Sequence, residues 1–113
     1  MATILPDIEK AVKKFINLVS KEKHLLMVFV YGSHAKGLAG KWSDIDLAVV
    51  SDDFAEDLFE ERKRLMRLAL EIDERIEPVP FRPEDFNGTD PLVNEIRKSG
   101  VEMELIMTGS DHA

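Results

Sequence analysis

Apolar positions change their period several times along the chain, and each change marks an element. Ile8, Val12, Phe15, Ile16 and Val19 recur at spacings of three and four, so the stretch from Pro6 to about Lys21 reads as an amphipathic helix. Pro6 suits a first helical turn, and Asp7 and Glu9 favour that end of the helix dipole. Leu25 to Tyr31 is then a continuous apolar run, the pattern of a central strand covered on both faces. The run breaks at Gly32-Ser33, crosses a loop holding Gly37 and Gly40, and resumes at Ile45. There Ile45, Leu47 and Val49 share one face of a second strand. Ser51-Asp52-Asp53 reads as a strand exit. From Phe54 to about Asp73 the helical period returns, with Leu58, Phe59, Leu65, Met66, Leu68, Ala69 and Ile72 inward. Glu60, Glu61, Arg62, Lys63 and Arg64 form the solvated side.

The remaining segments are shorter. Arg75 to Phe81 contains Pro78 and Pro80, which confines it to an edge or irregular strand; alternation groups Arg75, Glu77, Val79 and Phe81 on one face. Pro83 to Gly88 is rich in turn formers. Asp90 is a suitable N-cap with Pro91 at the first helical position, and the short helix runs through Leu92, Val93 and Ile96 to a stop at Gly100. Val101 to Met107 alternates as a last strand, and Thr108 to Ala113 reads as a frayed polar tail. The order helix, strand, strand, helix, strand, helix, strand predicts one domain over residues 1–113. Its fold class is α/β (α+β), a small mixed sheet with helices mainly on one face.

Composition narrows the setting. Charged residues at 33% and hydrophobic ones at 44% fit a soluble globular domain. No run approaches the roughly 20 apolar residues of a membrane span, and the start lacks the pattern of a signal peptide, so a cytoplasmic location is expected. The absence of cysteine excludes a disulfide scaffold and a thiolate metal site. A formal net charge of −7 argues against direct binding to a nucleic-acid backbone, where Lys and Arg must displace counterions. It is compatible with a small nucleotide arriving with a metal ion, or with a basic protein partner.

The candidate chemistry lies where the two apolar runs meet. Asp44 and Asp46 are two residues apart on a strand, hence on one face and about 6–7 Å apart along it. Such a pair repels unless neutralised, and a hard divalent cation is the natural neutraliser; Mg²⁺ takes one or two carboxylates together with substrate phosphate oxygens. The plainer reading is that Asp44 caps a turn after Ser43 and Asp46 sits at a solvated strand edge. Gly32 lets backbone approach a ligand closely, and Ser33, opening a short helix, offers a hydroxyl and amides to a phosphate. Lys36 suits a point charge near a phosphate chain. His34 reads as a polar contact, His24 as a surface residue, and Trp42 as packed beneath the loop, with a stacking surface for a base as the other option.

Gly32-Ser33, ten further residues, then Asp44-Ile45-Asp46 resembles the Gly-Ser-x10-Asp-x-Asp signature of the polymerase-β-type nucleotidyltransferase superfamily. More narrowly, the stretch looks like the minimal nucleotidyltransferase (MNT) family of bacteria and archaea. His34, Lys36 and Trp42 depart from the residues frequent in such loops. The resemblance implies transfer of a nucleoside monophosphate, AMP above all, from ATP or another nucleoside triphosphate to a hydroxyl acceptor, with two Mg²⁺ ions. It implies that Asp44 and Asp46 ligate both ions and that Glu77 is the third carboxylate, with Asp73 as runner-up. Gly32, Ser33, Lys36 and Ser43 would bind the nucleotide.

Larger relatives append a helical domain that holds base or acceptor, and this chain has no obvious equivalent. The missing surface would come from self-association into a homodimer or from a second protein. Minimal nucleotidyltransferases are similar to antitoxins paired with all-helical HEPN-domain toxins, some of which transfer AMP onto a toxin tyrosine. That is the leading expectation. The alternatives are a stand-alone enzyme acting on a small molecule and a non-catalytic antitoxin or binding scaffold.

Overall fold

The computed structural model describes residues 4–105. Helix α1 (Pro6–Ser20) leads into strand β1 (Leu25–Tyr31), and a single-turn helix α2 (Ser33–Lys36) precedes β2 (Ile45–Ser51). Helix α3 (Leu58–Leu70) crosses to β3 (Ile76–Phe81). A 3₁₀ turn over Pro83–Asp85, helix α4 (Pro91–Ser99) and a two-residue strand β4 (Val101–Glu102) complete the fold. The sheet has the order β3-β2-β1-β4. β1 runs antiparallel to both β2 and β4, whereas β2 and β3 are parallel, as a strand–helix–strand crossover through α3 requires.

Each sheet face has its own core. On one side α1 contributes Ile8, Val12, Phe15, Ile16 and Val19 and α3 contributes Leu65 and Ala69. They cover Val28, Val30, Ile45, Leu47, Val49 and Ile76. The alternate strand residues Phe29, Ala48, Val50 and Phe81 meet Val93 and Ile96 of α4 and Phe86 of the turn before it. Phe86 anchors that turn, its ring stacked 5.6 Å from Phe29 and edge-on 5.2 Å from Phe81. The two long helices thus share one face, as expected, and the short α4 closes part of the other. Pro78 and Pro80 are tolerated because β3 is an edge strand, free of a ladder on its outer side.

Four expectations need correction. Helix α3 begins at Leu58, not Phe54, because Asp57 caps it through the Glu60 N–H, while Phe54 turns into the core ahead of it. Glu61 is buried at 5% exposure instead of solvated. Its Oε2 accepts the Ala55 N–H at 2.9 Å and Lys23 Nζ at 3.4 Å, tying the β2–α3 connection to the helix. Phe59 is 69% exposed because the core stripe runs through Leu58, Glu61, Leu65 and Ala69, about 100° round the helix from it. Lys63 rests over its ring instead.

The fourth correction concerns the last strand, which among the described residues pairs only through Val101–Glu102 and the Met103 N–H to the Val28 carbonyl at 2.8 Å. Glu104 and Leu105 follow outside any strand. The expected strand residues Ile106 and Met107, and the polar tail, lie outside the described residues.

Candidate active site

The end of β1 and the beginnings of β2 and β3 lie at one end of the sheet. Register places Tyr31 opposite Asp46 and Asp46 beside Glu77, so these three side chains form a row across three strands on the α4 face. Asp46 is on an interior strand, which removes the reading of a solvated edge residue. Asp44 lies just before β2 and is exposed; the adjacent turn is closed by Ser43, whose Oγ accepts the Gly40 N–H at 2.8 Å.

Gly32 turns the chain out of the row. It holds φ 74° and ψ −149°, a conformation open essentially to glycine alone, and it is the N-cap of α2. A Cβ on Gly32 would collide with Oδ2 of Asp46. The loop backbone and the central carboxylate are therefore in direct contact.

The electrostatics mark Asp46 as the focus. Burial pushes its carboxyl above the ordinary range, the charges of Asp44 and then Glu77 add to this, and His34 opposes it. The Tyr31 phenol is also pushed up, first by burial and then by Asp46, with Arg62 acting in the other direction. His34 is buried, with Nε2 3.3 Å from the Ser43 carbonyl, so it holds the end of the loop to α2 as the expected polar contact. Lys36 pairs with Glu95 of α4 at 3.0 Å. Ser33 is half-buried at the opening of α2.

Glu77 lies 3.7 Å from the Arg62 guanidinium of α3. Among the described residues no three His, Cys, Asp or Glu side chains converge as a ready metal cage. The row brings Asp46 and Glu77 side by side, and the third expected carboxylate is held by an arginine that the helical pattern had assigned to solvent. Tyr31 was also missed as a site residue. Alternation from Phe29 through Tyr31, next to the strand-ending glycine, was the signal that could have found it.

Asp73, the runner-up third carboxylate, has a structural task. Its Oδ1 accepts the Arg75 backbone N–H at 2.9 Å and Nε at 3.0 Å, and its Oδ2 accepts Nη2 at 2.8 Å. Arg75 also donates to the Lys41 carbonyl at 3.0 Å, and its own carbonyl accepts the Ile45 N–H at 2.7 Å. This clamp sets β3 against β2 and so Glu77 against Asp46. The Arg75 hydrogen bonds hold the Asp73 carboxyl below its ordinary value of 3.8. The stability this supplies is present above the ordinary carboxylate range and is lost as pH falls through the depressed folded value. We expect Asp73→Asn to lower Tm by a few degrees at pH 7, about 0.5–1 kcal/mol for a partly exposed pair. Melts repeated at falling pH should show the difference from wild type closing once Asp73 itself is protonated.

A family model described as a nucleotidyltransferase domain matches residues 12–110. The chain belongs to this nucleotidyltransferase family. Solved structures share the fold. A Sulfolobus solfataricus protein assigned as a nucleotidyltransferase superposes with a TM-score of 0.63 at 21% identity, over 85% of this chain and 78% of that one. A toxin–antitoxin solved with AMP-PNP gives 0.62 at 20% identity, over 89% and 76%. A mutant of the MntA–HpeT toxin–antitoxin gives 0.60 at 22% identity, over 89% and 75%. Trp42, expected beneath the loop, is instead 75% exposed, because the loop closes on itself through Gly40 and Ser43 and leaves the indole outside. Among the described residues no helix is long and apolar enough to cross a membrane.

Proposed function

We propose that this chain transfers a nucleoside monophosphate, AMP from ATP in the first instance, to a hydroxyl on a protein partner, as the antitoxin of an MNT/HEPN-type pair. The observation that carries this reading is the Asp46 carboxylate, set against the Gly32 backbone and crowded by Asp44 and Glu77. The charges of Asp44 and Glu77 acting on a partly desolvated carboxylate disfavour its ionised form in the free protein and favour one loaded with a cation. The donors are hard carboxylate oxygens, which fits Mg²⁺. Asp44 and Asp46 would hold it, with Glu77 joining once it leaves Arg62. Mg²⁺ held there would supply Lewis-acid stabilisation of developing negative charge on the phosphate oxygens.

The chain's own groups do the positioning. Gly32 and Ser33 present backbone amides and a hydroxyl to the phosphates, and Lys36 adds a point charge after parting from Glu95. Ser43, already fixed by Gly40 and His34, keeps the Asp44 segment in place. The pairing with toxins among proteins of this fold supports a protein partner, and the family supports the reaction.

The test is transfer of label from ATP with Mg²⁺, with and without the protein encoded beside this chain. We expect label on that partner, lost in the Asp44→Asn/Asp46→Asn double variant and on chelation of the metal. Label only on added small molecules would favour a stand-alone enzyme. No label, with tight binding of the partner by both forms, would leave a non-catalytic antitoxin.

A further inference from the structure

We propose that Trp42 is the stacking surface for the nucleobase of the incoming nucleotide, an inference that rests on the nucleotidyl-transfer reading and adds base binding to it. Trp42 is the chain's only tryptophan and is largely exposed. Only Ser43 stands between it and Asp44, so its Cα lies within about 7 Å of that residue's. The segment carrying it is not loose. Gly40 and Ser43 exchange two hydrogen bonds, at 2.8 and 3.2 Å. Arg75 binds the Lys41 carbonyl at 3.0 Å, and His34 reaches the Ser43 carbonyl at 3.3 Å. The backbone is pinned on both sides of a ring that is left in water.

A large indole held out of the core by a fixed loop forgoes the burial its surface would otherwise gain. What it offers in return is preorganisation: a ligand that covers it need not order the loop. Lys41 sits with Nζ 5.2 Å from the ring centroid, taking one face and leaving the other for a flat group. The same ammonium puts a positive charge three residues before Asp44. The carboxylates of Asp44, Asp46 and Glu77 suit a metal, and the Gly32-Ser33 turn suits phosphate; the half-buried Tyr31 belongs to the floor of the row. None of them offers an open π face to a base, and Trp42 does. Stacking on an aromatic ring is tolerant of base identity, so the ring would strengthen binding of every nucleotide, with the larger purines gaining most.

Because Trp42 is the sole indole, its fluorescence reports directly on the site. AMP-PNP with Mg²⁺ should quench it saturably, whereas inorganic tripolyphosphate, which lacks a base, should bind by calorimetry without quenching. Trp42→Ala should weaken AMP-PNP about tenfold, leave tripolyphosphate affinity and Tm unchanged, and raise KM for ATP with kcat little altered; Trp42→Phe should recover most of the loss. Equal quenching by tripolyphosphate, or unchanged AMP-PNP affinity in Trp42→Ala, would overturn the inference while leaving nucleotide binding intact. Loss of binding to the protein acceptor alone would overturn it in favour of a partner contact. If neither ligand binds the wild-type protein, the transfer reading fails and this inference with it.

Discussion

Asp46→Asn should lower kcat/KM for nucleotidyl transfer by about 10³-fold or more, and should at the same time raise the Tm of the metal-free protein. The first effect follows from position. Asp46 is central in the row, next to Glu77 in register and against the Gly32 backbone, so it is the carboxylate most able to join metal and phosphate. Loss of one fixed charge that stabilises a phosphoryl transition state is worth about 4 kcal/mol, which is a thousandfold in rate. The second effect follows from the sign of linkage. Burial, Asp44 and Glu77 raise the folded-state value of the Asp46 carboxyl. The folded protein therefore binds that proton more tightly than the unfolded chain does, and the ionised group costs stability at neutral pH. The cost fades as pH falls through the raised value towards the ordinary one. For a half-exposed group the gain on substitution is about 0.5 kcal/mol, or 2–4 °C in a domain of this size. Melts in chelator at pH 7 and near pH 4 would check it, the variant's advantage being confined to the higher pH. Mg²⁺ should stabilise wild type more than the variant. A variant that keeps both its activity and its response to Mg²⁺ would remove Asp46 from the mechanism.

The parts of this architecture that were legible in the sequence are those with a strong period or a chain-local rule. α1, β1 and β2 showed themselves because a helix must be apolar at every third or fourth residue, and a strand covered on both faces nearly throughout, to close the core. Asp90-Pro91 announced α4 because a capping oxygen and a fixed φ act within one turn. The candidate site was visible for the same reason: Gly32 and the Asp44-Asp46 spacing are local features of a strand–turn–strand unit. What escaped depended on contacts distant in sequence. Glu61 looked like one more charge on a polar helix face, and only the fold brings Lys23 and the Ala55 amide to it. Arg62 looked equally ordinary until β3 presented Glu77. Phe59 and Met66 share a helical spacing with the true core stripe but lie round its edge, where counting apolar residues cannot distinguish phase. Trp42 failed in the other direction. Size and hydrophobicity argued for burial, and loop closure kept the indole out.

Gly32→Ala should disable the site almost as fully as the loss of Asp46, and for a reason that can be separated from instability. Two penalties act together. The φ of 74° with ψ of −149° costs an alanine about 1–3 kcal/mol, which should lower Tm measurably in a small domain without preventing folding. The new methyl would also occupy the place of Asp46 Oδ2. A carboxylate turns more readily than a strand moves, so the side chain swings aside and the oxygen proposed to bind metal leaves its position. A displacement of about 1 Å at a reacting centre costs about 10²-fold in rate, and a rotated ligand costs more. The double-mutant cycle decides between the two penalties. If Gly32→Ala acts through Asp46, it should remove little further activity once Asp46 is asparagine, while its loss of stability persists in either background. Full additivity of the activity losses would mean that Gly32 serves the phosphates alone and that its contact with Asp46 is incidental.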